Sequence, residues 1–309
     1  MQLSILLNAG LSGPHAGFFL AETDGHFASE GLAVTMRPGQ GAGAAVEDMQ
    51  GCDAAYGDLA ALIARLGREA PGEGPAAVFI AFAETPLTIA VAADGPVHGP
   101  RDLAGRRVSG HARDAALIAF PAFAHRAGLD PASVHILPDP RSLAAQVQAM
   151  LEDGAAEGVF GFVNTILAGL EAAGLAALAP RLRFLRYADV APELMGNALV
   201  VSRAMLRGDP GAVRGLVRAV TRGFRAAMAD PRRGVEAVAA HKPIAFDAEL
   251  RRWERTIAAE MAHPDVAGFG LGGADPARIT AACSLMAAAL GLPRTPAAEE
   301  VFDARFLGG

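Results

Sequence analysis

A set of polar and glycine positions shares one place in the pattern of this chain, just past or at the end of a short apolar run. Early in the sequence these are Asn8, His15, Gln40, Gly41, Asp58, Glu84 and Thr85; further on come Gly110, His111, Arg113, Asn164 and Asn197. Neutral hydrogen-bonding groups outnumber charges among them. Such a mix suits gripping a small polar molecule through many fixed hydrogen bonds while water is shut out. As single residues they carry more than one reading. His15 opens a helix beside the Asn8 loop, as a ligand contact or as a cap. Asp58 faces the ligand or caps the helix after it. Glu84 would favour a ligand amine or amidine, or forms a salt bridge where the chain crosses between lobes.

The run Gly39-Gln40-Gly41-Ala42-Gly43 could cradle an anion with bare N–H groups at a helix start. No Lys follows it and P-loop spacing is absent, so a loop that needs positive φ is an equal reading. Ser109-Gly110-His111 carries the same logic. The other histidines show no metal-ligand spacing, and Cys52 and Cys283 form no Cys-x-x-Cys pair. Both thiols read as buried, and Cys52, beside Asp53, has no cation next to it in sequence to activate it. No cofactor is implied.

The elements that must position these residues alternate. Strands are expected at 3–7, 32–37, 54–56, 77–83 and 85–92, with helices over 15–27, 46–49 and 59–66 between them. The Gly- and Pro-containing stretch 94–100 reads as the first crossing between lobes. A second alternation follows: a strand near 108, a helix to 127, strands at 134–137, 158–163 and 182–187, and helices at 142–151 and 165–173. Residues 197–202 read as the returning crossover. Beyond 203 the signal is helical, over 211–229, 231–240, 247–261 and 275–289, and these helices are expected to pack mainly on the first lobe. Asp275-Pro276 starts the last of them with an N-cap and Pro at the first helical position. Alternation of this kind implies parallel sheets. The expected fold is α/β, with two Rossmann-like lobes, a central ligand cleft and two hinge crossings. Lobe I would hold 1–90 plus 198–309, and lobe II 91–197.

The chain has 309 residues, 19% charged and 52% hydrophobic. That length favours two lobes over one core. A net charge of −6 without a basic stripe argues against nucleic acid; Arg181, Arg183 and Arg186 alternate with apolar residues as one solvated strand face. No apolar run reaches the roughly 18 residues of a membrane span. Met1-Gln2-Leu3 has no basic leader region, which implies a periplasmic location if a leader has been removed and a cytoplasmic one otherwise.

The opening order carries a resemblance. Leu6-Leu7-Asn8-Ala9-Gly10, His15-Ala16-Gly17-Phe18-Phe19 and Glu30-Gly31-Leu32 run strand, polar loop, helix, tight turn, strand. With Asp102-Leu103-Ala104-Gly105-Arg106, this resembles the ABC-transporter solute-binding proteins of the thiamine-pyrimidine, sulfonate and nitrate-binding family. The resemblance implies the type II periplasmic-binding fold and a monomer that delivers a small ligand to an ABC permease/ATPase complex. The ligand would be thiamine-pyrimidine precursor-like or sulfonate-like. A synthase branch of the family uses a Lys and a His where this chain has Gly57 and Ala61, and a Cys-rich run where it has Leu194-Met195-Gly196-Asn197-Ala198. The pyrimidine-binding branch has a Trp where Ala9 stands here, so ring stacking would fall to Tyr56, Phe82 or Phe162. The alternatives are a pyrimidine synthase-like or desulfinase-like enzyme using His15, His111 or Asp58, and an intracellular ligand sensor.

Overall fold

Short apolar runs closed by polar residues become ten strands in the computed structural model, which describes residues 1–307. They are β1 (Gln2–Leu6), β2 (Ala33–Arg37), β3 (Ala54–Asp58), β4 (Ala76–Ile80), β5 (Leu87–Ala92), β6 (Arg107–Gly110), β7 (His135–Pro138), β8 (Gly158–Phe162), β9 (Leu182–Arg186) and β10 (Asn197–Val201). Two five-stranded sheets result, ordered β2-β1-β3-β10-β4 and β7-β6-β8-β5-β9. Residues of β3, β4 and β10 are buried throughout, as expected for strands covered on both faces.

The sheets are mixed rather than wholly parallel. β1 runs parallel to β2 and β3, but β10 is antiparallel to β3 and β4. In the second sheet β6 is parallel to β7 and β8, whereas β5 is antiparallel to β8 and β9. The reversed strand in each sheet is the one entering from the other lobe, which arrives without a crossover helix to turn it round. Because β5 is hydrogen-bonded into the second sheet, the first passage lies at residues 81–86, ahead of the stretch 94–100 expected for it. There it runs beside the returning chain: Ala81 and Phe82 N–H both donate to Asn197 O (2.9 and 3.1 Å), and Gly196 N–H donates to Phe82 O (3.0 Å).

The C-terminal helices do more than cover the first lobe. Helix Pro210–Ala229 does pack there, with Phe224 5.2 Å from Phe18 between ring centroids. Trp253 is fully buried and its Nε1–H donates to Ala227 O. Two other tail helices bridge the lobes. Helix Pro276–Leu290 brings Cys283 and Met286 into one apolar cluster with Leu62 of the first lobe and Phe123 of the second, and helix Phe246–Thr256 packs on helix Val163–Ala172. The apolar face of helix Pro276–Leu290 is matched by both lobes, so burial favours that bridge. No described helix is long and apolar enough to cross a membrane.

Candidate ligand-binding cleft

Between the sheets lies a cleft of about 960 Å³. The first lobe supplies the loops after β1 (Asn8, Gly10) and β2 (Gln40, Gly41). The second supplies His111 and Arg113 after β6, Asp139 and Ser142 after β7, Phe162 at the end of β8 and Thr165 beyond it; Arg252 enters from the tail. Most of these loops leave the carboxyl ends of strands, where open α/β sheets place their ligands.

Asn8 is held from behind by His15, whose Nε2 lies 2.7 Å from Asn8 Oδ1. Ser12 N–H donates to His15 Nδ1 at 3.2 Å, so Nε2 carries the hydrogen. His15 is itself fully buried and does not reach the cleft surface. Burial, with the Arg252 charge adding to it, pushes its imidazole down from 6.5 to about 3, so it acts as a neutral donor.

Gln40 and Gly41 line the cleft where the loop folds back on Asn8: Gly41 N–H donates to Asn8 O at 2.7 Å. Gly41 has φ +128°, which L side chains rarely adopt, so glycine is required at this helix start. His111 donates from Nε2 to Arg141 O (2.8 Å), with Nδ1 4.0 Å from Asp114. Arg113 crosses the rim to Glu47 and Asp48, 3.4 Å from each carboxylate.

The remaining expected positions stand back from the lining. Asp58 is fully buried and caps helix Leu59–Leu66, accepting from Ala60 and Ala61 N–H at 2.9 and 3.3 Å. Burial raises its carboxyl from 3.8 to about 7 against those two bonds, and Asp114 adds to the rise. Glu84 pairs with Arg186 at the crossing. Thr85 is buried, its Oγ1 accepting from Leu87 N–H. Gly110 closes β6, and a Cβ there would sit 3.0 Å from Phe160 Cβ. Asn164 donates to Glu260 Oε1 at 2.8 Å. Asn197, opposite Asp58 in the β10–β3 ladder, is fully buried with neither side-chain polar atom hydrogen-bonded. Of the three aromatic candidates only Phe162 lines the cleft; Tyr56 and Phe82 are buried in the first lobe.

Reading strand ends missed Arg252 and Glu260, because both ride on the helical tail. Arg252 Nη2 donates to Thr165 Oγ1 at 2.8 Å, while its nearest carboxylate, Glu249, stands 3.4 Å away and already accepts from Gly13 N–H at 2.7 Å. Glu260 is buried. That burial lifts its carboxyl from 4.5 to about 7; Asn164, Arg252 and Thr256 pull it down, and Glu84 adds to the rise. The usable signal was Arg251-Arg252-Trp253, where the buried Trp fixes which helix face turns inward.

Two expectations from neighbours in sequence are corrected. Cys52 does have a cation beside it, with Arg37 Nη1 3.3 Å from Sγ, but it is buried outside the cleft. Arg183 and Arg181 are not simply solvated: Arg183 ties down Val97 and Ala93 carbonyls and Arg181 that of Leu151.

A family model described as "NMT1/THI5 like" matches residues 12–234. No curated protein matches the chain. Among solved structures, the alkanesulfonate-binding protein SsuA from Xanthomonas axonopodis pv. citri bound to MOPS superposes with a TM-score of 0.68 at 15% identity, over 97% of this chain and 97% of that one. A Candida albicans protein described as having the generic periplasmic binding protein fold gives 0.68 at 11% identity, over 98% and 96%. A mutant of the desulfurization enzyme DSZB in complex with biphenyl-2-sulfinic acid gives 0.63 at 16% identity, over 98% and 97%. The fold is thus the two-lobed periplasmic-binding fold.

Proposed function

The chain belongs to the NMT1/THI5-like family, and on that premise we propose that it is a solute-binding protein that encloses a small polar or heteroaromatic organic anion between its lobes. The observation that carries this reading is the cleft wall itself. It is drawn from both lobes, its hydrogen-bonding groups are fixed by their own partners, and the Arg252 guanidinium reaches it with Nη2 on Thr165 while only Nη1 faces a carboxylate, that of Glu249 at 3.4 Å. The anionic group of the ligand faces Arg252 and Thr165, a ring lies against Phe162, and Asn8, Gln40 and His111 meet the remaining polar atoms. By analogy with sulfonate-binding neighbours described as periplasmic and, in one case, named with a sulfonate ABC transporter, the protein works in the periplasm and hands its ligand to an ABC permease.

Among the described residues that line the cleft, none pairs a nucleophile with a free base. His111 is engaged by a backbone carbonyl, and both cysteines lie elsewhere. A synthase-type Lys would also lack space at position 57, where even a Cβ falls 2.4 Å from Ala42 O. The test is a thermal-shift and calorimetry panel of sulfonates, carboxylates and aminopyrimidines. Saturable stabilisation of about 2.7 kcal/mol at a hundredfold excess over Kd, with the compound recovered intact, supports the reading. Silence across the panel overturns it. The likeness to the desulfurization enzyme favours an enzyme as second reading; consumption of a bound compound, lost in His111→Ala, would establish that instead.

A further inference from the structure

The tail helix Phe246–Thr256 continues into a wider turn, Ile257–Met261, and together they lie along helix Val163–Ala172 of the second lobe. The contacts between them are polar. Glu171 receives two guanidinium groups, one on each oxygen: Arg251 Nε at 2.6 Å from Oε2 and Arg255 Nη2 at 2.7 Å from Oε1. Nearer the cleft, Arg252 bonds Thr165 and Glu260 bonds Asn164, both at 2.8 Å. A second joint is an apolar cluster shared by helices Leu59–Leu66, Ala115–Ala127 and Pro276–Leu290, with Arg113 paired to Glu47 and Asp48 across the rim as the polar contacts on that side.

The two kinds of joint respond differently to opening. Separating apolar surfaces exposes them to water at a cost proportional to area. Separating ion pairs whose guanidinium partners are part-exposed, as those of Glu171 are, exchanges them for hydrated charges at a smaller cost. The apolar joint therefore behaves as a pivot, and the polar one as a fastening that can release. We propose that tail residues 246–261 form a strap that sets the open–closed equilibrium of the lobes without ligand, with Glu171 as its catch. This goes beyond the binding role, since it concerns the lobes' own equilibrium whatever the cleft takes up. It also predicts a uniform effect on affinity: a ligand that needs the closed form binds more weakly by the fraction of molecules that are open.

Glu171→Gln is a mild way to release the catch. Arg251 and Arg255 are 50% and 36% exposed, so water can solvate the charges it frees. Spin labels at Thr35→Cys and His135→Cys, exposed positions on edge strands β2 and β7, report the distance between sheets; native Cys52 and Cys283 are buried and stay unlabelled. In the ligand-free protein, Glu171→Gln should raise the population of a longer distance severalfold over wild type. The charge swap Glu171→Arg with Arg251→Glu should restore the shorter one. Identical distance distributions in wild type and Glu171→Gln would overturn the proposal, as would a swap that leaves the lobes open. Since no ligand is present, this outcome is independent of the panel that tests the binding role.

Discussion

Asn8 Oδ1 is held at 2.7 Å by His15 Nε2, a side chain that never reaches the cleft surface. With its carbonyl oxygen engaged, Asn8 has its amide N–H groups left to offer a ligand. On the proposed binding role, His15 acts as a positioning residue. His15→Ala should weaken ligand binding about tenfold, or about 1.4 kcal/mol, although it removes no ligand contact. Asn8→Ala should cost a similar amount, and the double variant little more, because both break one interaction. Calorimetric titration of the two singles and the double checks this. Additive losses would mean that His15 acts elsewhere.

Arg252 should discriminate by charge. Its guanidinium reaches the cleft beside Thr165 with no closer carboxylate than 3.4 Å. Hydrogen bonds to charged groups contribute about 1.5–3 kcal/mol. Arg252→Met should therefore weaken an anionic ligand roughly ten- to hundredfold and leave an uncharged analogue nearly unaffected. Arg252→Lys should recover only part of the loss, since an ammonium cannot reproduce the planar fork. Equal losses for charged and neutral ligands would reduce Arg252 to a tether for Thr165.

Gly57 marks a close approach between β3 and helix Ala42–Asp48. A Cβ added there would lie 2.4 Å from Ala42 O and 2.5 Å from Val46 Cγ2. Gly57→Ala should cost about 1–3 kcal/mol, the usual range for an overpacked core. Urea denaturation measures it, and an unchanged midpoint would show that the helix shifts to make room.

How far the sequence could be read depends on which force set each feature. The alternation of apolar runs with Gly, Asn and Asp is local, and it revealed both sheets and the loops that form the cleft. Strand direction is not local. β5 and β10 read as ordinary apolar strands, and only the passage from the opposite lobe makes them antiparallel. The same limit affected the site. Asn8, Gln40 and His111 sit where strand ends put them, whereas Asn164 and Asn197 are drawn inward by tertiary packing. Arg252 and Glu260 come from a helical tail that meets the second lobe through polar pairs far apart in sequence, Arg252 with Thr165 and Glu260 with Asn164, which no short motif records.

The buried ionisable groups give stability opposing dependences on pH. His15 stays neutral in the fold down to about 3, against an ordinary 6.5, so only the unfolded chain takes up that proton in between. Stability from this group is present above pH 6.5 and falls as pH drops toward 3. Glu260 and Asp58 act the other way. Their folded values, both about 7, lie above the ordinary 4.5 and 3.8, so the fold keeps protons that the unfolded chain releases. Stability from them is greatest at low pH and falls as pH rises toward 7. Between pH 4.5 and 6.5 two falling contributions meet one rising one, each about 1.4 kcal/mol per pH unit at its steepest. Wild type should lose stability across that window. Glu260→Gln should flatten the curve, and His15→Gln should steepen it. Urea midpoints at half-unit pH steps check both. If the two variants shift the slope in the same direction, the burial of at least one of these groups is not as described.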